Sequence, residues 1–339
     1  MSGRAVRAPA VATLHLKPSM PPLRKALAAV QPLFLALAFV LMGLLLVRHW
    51  DGLRAYQWQF RPLWLAASGL CVLAGWLVEI FMWRRGLGLL GGRLDYRTAV
   101  QIWFASAIVR YIPGNVWQPL SMTVRCGERG IPPQTTLASL SLFLGLHLLA
   151  ACPITALYLA TWGRAGAASR WLGFLAPWWS VLIAVPVLIF LIRPRWMLAA
   201  ANRVLARVGL EPLPLHLSSG ELLGLLGTSL AAWAFLCGAF TALAGALAAP
   251  GSAPFREAVP HVAFAYPIAY AIGFLSLLTP SGLGVREGIL VLLLAPVLGS
   301  RGAIVAALGM RAWEIGLEMA VTAGVVGLPW LWSRGRHPR

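Results

Sequence analysis

Six stretches of this chain, 27–48, 63–83, 135–162, 171–192, 221–249 and 258–279, each run for at least 21 residues with few charges. A helix needs about 20 mainly apolar residues to cross a bilayer, and irregular backbone in hydrocarbon cannot satisfy its own polar groups. The expected fold is therefore all-α, a polytopic integral membrane helix bundle. A seventh stretch, 301–332, is long enough to cross but carries charges, and two more, 98–112 and 286–298, are too short to cross unaided. Composition agrees: 59% of residues are hydrophobic and 11% charged, where soluble domains carry roughly 45–50% and 25%. The mean hydropathy of +0.77 excludes a soluble globular enzyme. No loop between these stretches is longer than 28 residues, which leaves no room for a separate soluble catalytic domain.

The charge balance sets orientation and partners. The net charge is +18, and 26 of the 28 basic residues are arginine. Because the charges are interleaved with apolar spans, an anionic membrane surface is the expected partner and nucleic acid is not. Loops 1–26, 84–97, 113–134, 193–220 and 333–339 together hold 18 basic residues, against 5 in loops 49–62, 163–170 and 250–257. The excess of Lys and Arg marks the cytoplasmic side. Both termini are expected there, in a multi-pass protein of a bacterial-type plasma membrane. Cytoplasmic termini demand an even number of crossings, about eight if 98–112 is a re-entrant half-helix and 286–298 belongs to a broken crossing. The expected organisation is a basic cytoplasmic segment over 1–26, one transmembrane domain over 27–332 and a basic cytoplasmic tail over 333–339.

Two short segments break the apolar pattern in the same way. Arg110-Tyr111-Ile112-Pro113-Gly114-Asn115 follows the first short helix, and Pro280-Ser281-Gly282-Leu283-Gly284-Val285-Arg286-Glu287 precedes the second. Proline lacks an N–H and glycine frees the backbone, so a helix stops at each. Unwound backbone at membrane depth must be buried in protein or line a watery cavity. Such breaks at corresponding places in two halves suggest inverted repeats around a transport site.

Charges inside apolar segments are costly and mark function by default. Stretch 301–332 carries Arg311, Glu314 and Glu318 on one helical face by their spacing of three and seven. Arg110, Arg286 and Glu287 at the breaks complete a set of three positive and three negative charges. These six form either a structural salt-bridge cluster or a site in which an arginine is left to bind a phosphate bidentately. In the second case Arg286 is the leading binder. It opens a half-helix whose N-terminal dipole already attracts an anion. Glu287 would orient it, and Arg311 would pair with Glu314 or Glu318, its neighbours one and two turns along. Glu79 is expected to snorkel or to pair with Arg84 and Arg85, and His147 and His261 to be lone packing residues. The four cysteines form no Cys-x-x-Cys pair, and no hydrolase, metalloprotease or phosphate-loop motif is present. No catalysis, metal or cofactor is expected.

The first break, Tyr111-Ile-Pro-Gly-Asn-Val-Trp with Arg125 downstream, and the second, Pro280-Ser-Gly-Leu-Gly-Val-Arg-Glu-Gly with Arg311-Ala-Trp-Glu314 after it, resemble the lysylphosphatidylglycerol synthase transmembrane-domain family. The resemblance extends over roughly residues 30–330. It implies a flippase-like membrane protein that binds or translocates an anionic phospholipid or a polyprenyl-phosphate-linked glycan. The alternative is a non-transporting membrane subunit supporting a lipid- or glycan-modifying enzyme. Multidomain members carry a cytosolic aminoacyl transferase domain after this region. The present sequence runs only seven residues past its last span, so that activity is not expected of it.

Overall fold

The computed structural model describes residues 61–107, 117–161, 170–193, 217–247, 255–276 and 284–327, with isolated positions at 109, 195–196, 199, 202–203, 206 and 282, and the backbone alone at 161, 170–180, 256 and 326–327. Eight α-helices lie in these residues, with no strand among them. They are α1 (Pro62–Leu89), α2 (Tyr96–Ala107), α3 (Trp117–Gly127), α4 (Pro133–Thr161), α5 (Arg170–Ile192), α6 (Ser219–Leu247), α7 (Phe255–Leu275) and α8 (Val285–Thr322), the last followed by a π-helical turn over Ala323–Gly327. Helices α1, α4, α6, α7 and α8 are long and apolar enough to cross a membrane. The first expected span, 27–48, and the terminal segments 1–26 and 333–339 lie outside the described residues.

What surrounds the bundle is legible from α1. Val72, Trp76, Ile80, Trp83 and Leu87 are buried, while Leu63, Leu70, Leu77 and Phe81 on another face are exposed. In water the outward face of a helix would be polar. Here both faces are apolar, as a lipid-facing helix requires. Lipid offers no hydrophobic drive to bring helices together, so close packing at small residues does that work. Helix α1 runs along α6 on such residues. A side chain at Gly75 would meet Leu236 at 3.0 Å, and one at Gly245 would meet Trp64 at 3.0 Å. Ser68 Oγ donates to the Ala239 carbonyl at 2.8 Å, within the same seam.

Helices α2 and α3 hold 12 and 11 residues, about 18 Å at 1.5 Å per residue, and neither spans the hydrocarbon. They lie side by side through the Ser106 and Ser121 hydroxyls, 3.0 Å apart. Asp95 caps α2 by accepting the Thr98 N–H at 2.9 Å. Hydrogen bonds from the Thr98 side chain and backbone hold its carboxyl below the usual range. The expected helix 98–112 is described as α2 as far as Ala107, and the break that follows it lies outside the described residues.

Helix α8 joins the two expected segments 286–298 and 301–332, but not as one rod. Gly299 has φ 70° and ψ 159°, a conformation open essentially to glycine. Residues 286 and 314 would be about 42 Å apart along a straight helix, yet Arg286 Nη2 lies 3.1 Å from Glu314 Oε2. The chain therefore folds back at Gly299 into a hairpin with arms 285–298 and 300–322. The first arm, 14 residues, is too short to cross.

Candidate functional site

The hairpin makes the site. Its two arms are joined by Arg286–Glu314 at 3.1 Å and Arg311–Glu287 at 3.9 Å, two pairs centred on the Gly299 turn as antiparallel arms require. All four side chains are nearly buried, at 7% and 11% exposure for the first pair and 12% and 6% for the second. Helix α7 closes the cluster from the side. Tyr266 donates its hydroxyl to Glu314 Oε1. The Arg286 guanidinium carbon lies 4.5 Å from the centre of the Tyr266 ring and 5.6 Å from that of Tyr270, where a desolvated cation–π contact is worth about 2 kcal/mol.

Backbone geometry delivers Arg286 to this place. Gly282 and Gly284 have φ of 67° and 82°, which turn the chain into α8. The approach is close: a side chain on Gly282 would sit 3.0 Å from the Gly273 backbone, and one on Gly273 would sit 3.1 Å from Arg286 Cβ. Glu287 Oε2 accepts the Gly284 N–H at 2.7 Å and so covers a free donor at the start of α8. Its carboxylate serves the helix end and Arg311 together.

The expected pairing is thus exchanged. Arg286, read from sequence as the open phosphate binder, donates to both oxygens of Glu314, at 3.3 and 3.1 Å, and is enclosed by two tyrosines. Arg311, read as internally satisfied, has Nε and one Nη buried without a hydrogen-bond partner. Glu287 faces Arg311 rather than orienting Arg286. The cause is the fold-back at Gly299. It presents Arg286 of one arm directly to Glu314 of the other, which takes that carboxylate from the arginine one turn before it. Glu318 is buried one turn further along the same arm. Arg125 lies in the last turn of α3, where its carbonyl accepts from Arg129 at 2.9 Å, and among the described residues no ion pair ties it to the cluster. Arg110, Tyr111, Pro113, Gly114, Asn115 and Pro280 lie outside the described residues.

Sequence reading missed Tyr266 and Tyr270. Two phenols one turn apart in an apolar helix, followed by Gly273 on the same face, are the signal that could have found them. A second feature, an apolar cavity of about 470 Å³, opens between α4, α5, α6 and α7 and is lined by residues such as Leu142, Leu149, Phe190 and Ile272. The arrangement as a whole offers a buried guanidinium with spare donors, next to a glycine-rich turn, in a bundle with apolar room for hydrocarbon. Comparison with known families matches residues 33–321 to the one described as the lysylphosphatidylglycerol synthase TM region. Comparison with curated proteins finds no match.

Proposed function

The chain belongs to the lysylphosphatidylglycerol synthase transmembrane family, and from that premise we propose that it is a flippase-like carrier that binds and moves a lipid with an anionic head group. The observation that carries the reading is the Arg311 guanidinium, which lies 3.9 Å from Glu287 through Nε but has no hydrogen-bond acceptor for Nε or one Nη. A buried guanidinium donor without an acceptor is costly, and a phosphate offers two oxygens in the matching fork geometry. The apolar cavity, about 470 Å³, is within the range of small-molecule sites and suits an acyl chain. The reading makes the protein a carrier and not an enzyme, with Glu287 and Glu314 held by arginines as structural partners of the site.

In proteoliposomes containing fluorescent phosphatidylglycerol, the protein is expected to bring the inner-leaflet label within reach of an external quencher. Fluorescent phosphatidylcholine, whose head group has no net charge, should move less. Vesicles that protect their inner leaflet as protein-free ones do would overturn the reading. Orientation in the cell membrane is proposed from the bias of 18 to 5 basic residues between the two sets of loops, with both termini cytoplasmic. A reporter fused after residue 207 should work only if it is of the cytoplasmic type. Activity of an exported reporter at that point would reverse the topology.

A further inference from the structure

The apolar cavity between α4, α5, α6 and α7 lies on the opposite side of α7 from the arginine cluster. Along α7, Tyr266 and Tyr270 face the Arg286 guanidinium, and Gly273 lies against Arg286 Cβ. Ile268, Ala271, Ile272 and Leu275 line the cavity. With 3.6 residues to a turn, the first three return to one face of α7 and the other four to the reverse face. The floor of the cavity is buried, at Leu142, Leu146, Leu149, Phe190 and Leu222. Its mouth opens on the outside of the bundle, where Ile272 and Leu275 are 42% and 65% exposed and Ser141 and Gly145 of α4 are exposed beside them. Gly145 keeps that mouth open, because a Cβ there would meet nothing of a neighbouring helix within 4 Å.

The chemistry of the lining decides what fills this space. A buried water needs about three polar partners, and the polar side chains inside the cavity are spent on their own helix. Thr155 Oγ1 donates to the Ala151 carbonyl at 2.8 Å, and Cys152 Sγ to the Leu148 carbonyl at 3.6 Å. Ser141, the other polar side chain of the lining, sits at the exposed mouth. An empty cavity is also unfavourable, since its walls forfeit dispersion contacts. The mouth lies midway along α4, a helix long and apolar enough to span, so the molecules that meet it there are lipid chains. We propose that the cavity is a binding site for one acyl chain of a neighbouring lipid, entered from the bilayer past Gly145 and blind to the head group. The blindness follows from α7, which is about 10 Å thick with its side chains and stands between the chain and the arginines. The site goes beyond the carrier reading and stands without it, because it asks only for a chain and takes that of a carried lipid or a bystander alike.

The test uses the full chain in liposomes with two probes, phosphatidylglycerol and phosphatidylcholine, each carrying a photoactivatable diazirine near the end of one acyl chain. After illumination, peptide mass spectrometry should find adducts on the buried floor, at Leu142, Leu149 and Phe190, in similar yield from both lipids. Gly145→Phe, which plugs the mouth, should lower these adducts several-fold, and Gly145→Leu should lower them less. Gly227→Phe, on the exposed face of α6 where a Cβ likewise meets nothing, places the same ring away from the cavity and should leave them unchanged. Arg311→Gln should leave them unchanged as well. Thermal unfolding in detergent checks the fold of each variant, and where the phenylalanine at 145 unfolds the protein the leucine decides. A parent whose floor takes no adducts overturns the site, and so do floor adducts that persist at full yield in the folded Gly145 variant. Adducts formed by phosphatidylglycerol alone, and lost in Arg311→Gln, overturn the blindness to the head group. Floor adducts in a protein that moves no lipid overturn the carrier reading and leave the chain site standing.

Discussion

Replacing Arg286 with alanine is expected to destabilise the protein by about 3–5 kcal/mol, because it leaves the Glu314 carboxylate buried without its counter-charge. The reciprocal change, Glu314→Ala, should cost a similar amount. It strands a guanidinium enclosed by the Tyr266 and Tyr270 rings and removes the acceptor of the Tyr266 hydroxyl. Thermal unfolding in detergent measures both. The double change Arg286→Met with Glu314→Leu should recover most of the loss, since well-packed apolar side chains often replace a buried ion pair without cost. Single variants as stable as the parent would mean that the two arms of α8 do not depend on this pair.

Arg311 should behave in the opposite way. Arg311→Gln is expected to weaken binding of short-chain phosphatidylglycerol by about ten- to a hundredfold, the equivalent of losing about 1.5–3 kcal/mol of hydrogen bonding to a charged group. Arg311→Lys keeps a positive charge opposite Glu287 but loses the planar fork, so it should retain the fold and recover part of the affinity. Calorimetric titration in detergent reads both. Affinity unchanged in Arg311→Gln would remove this residue from the head-group site. The contrast between the two arginines rests on their donors, since one guanidinium contacts both oxygens of a carboxylate and the other has two buried nitrogens with no acceptor.

The amino-acid sequence by itself determined the solvent, the helical class and the glycine turn that opens α8. Each of these is local, since about twenty apolar residues in a row define a span and Gly282 and Gly284 supply the positive φ that the turn takes. Spacing also placed Arg311, Glu314 and Glu318 on one helical face, because three and seven residues return to the same side of a helix. Only the tertiary structure decided which charges meet. Arg311 and Glu314 are one turn apart and free to pair, but the reversal at Gly299 brings Arg286 from 28 residues away to 3.1 Å from that carboxylate. Burial of both arms then favours the shorter contact. Glu79 and His147 are 68 residues apart on different helices, and Glu79 Oε1 comes to 3.4 Å from His147 Nε2. Their meeting depends on how α1, α4 and α6 lie against one another, a packing set by glycines and other small residues that carry no charge to announce it.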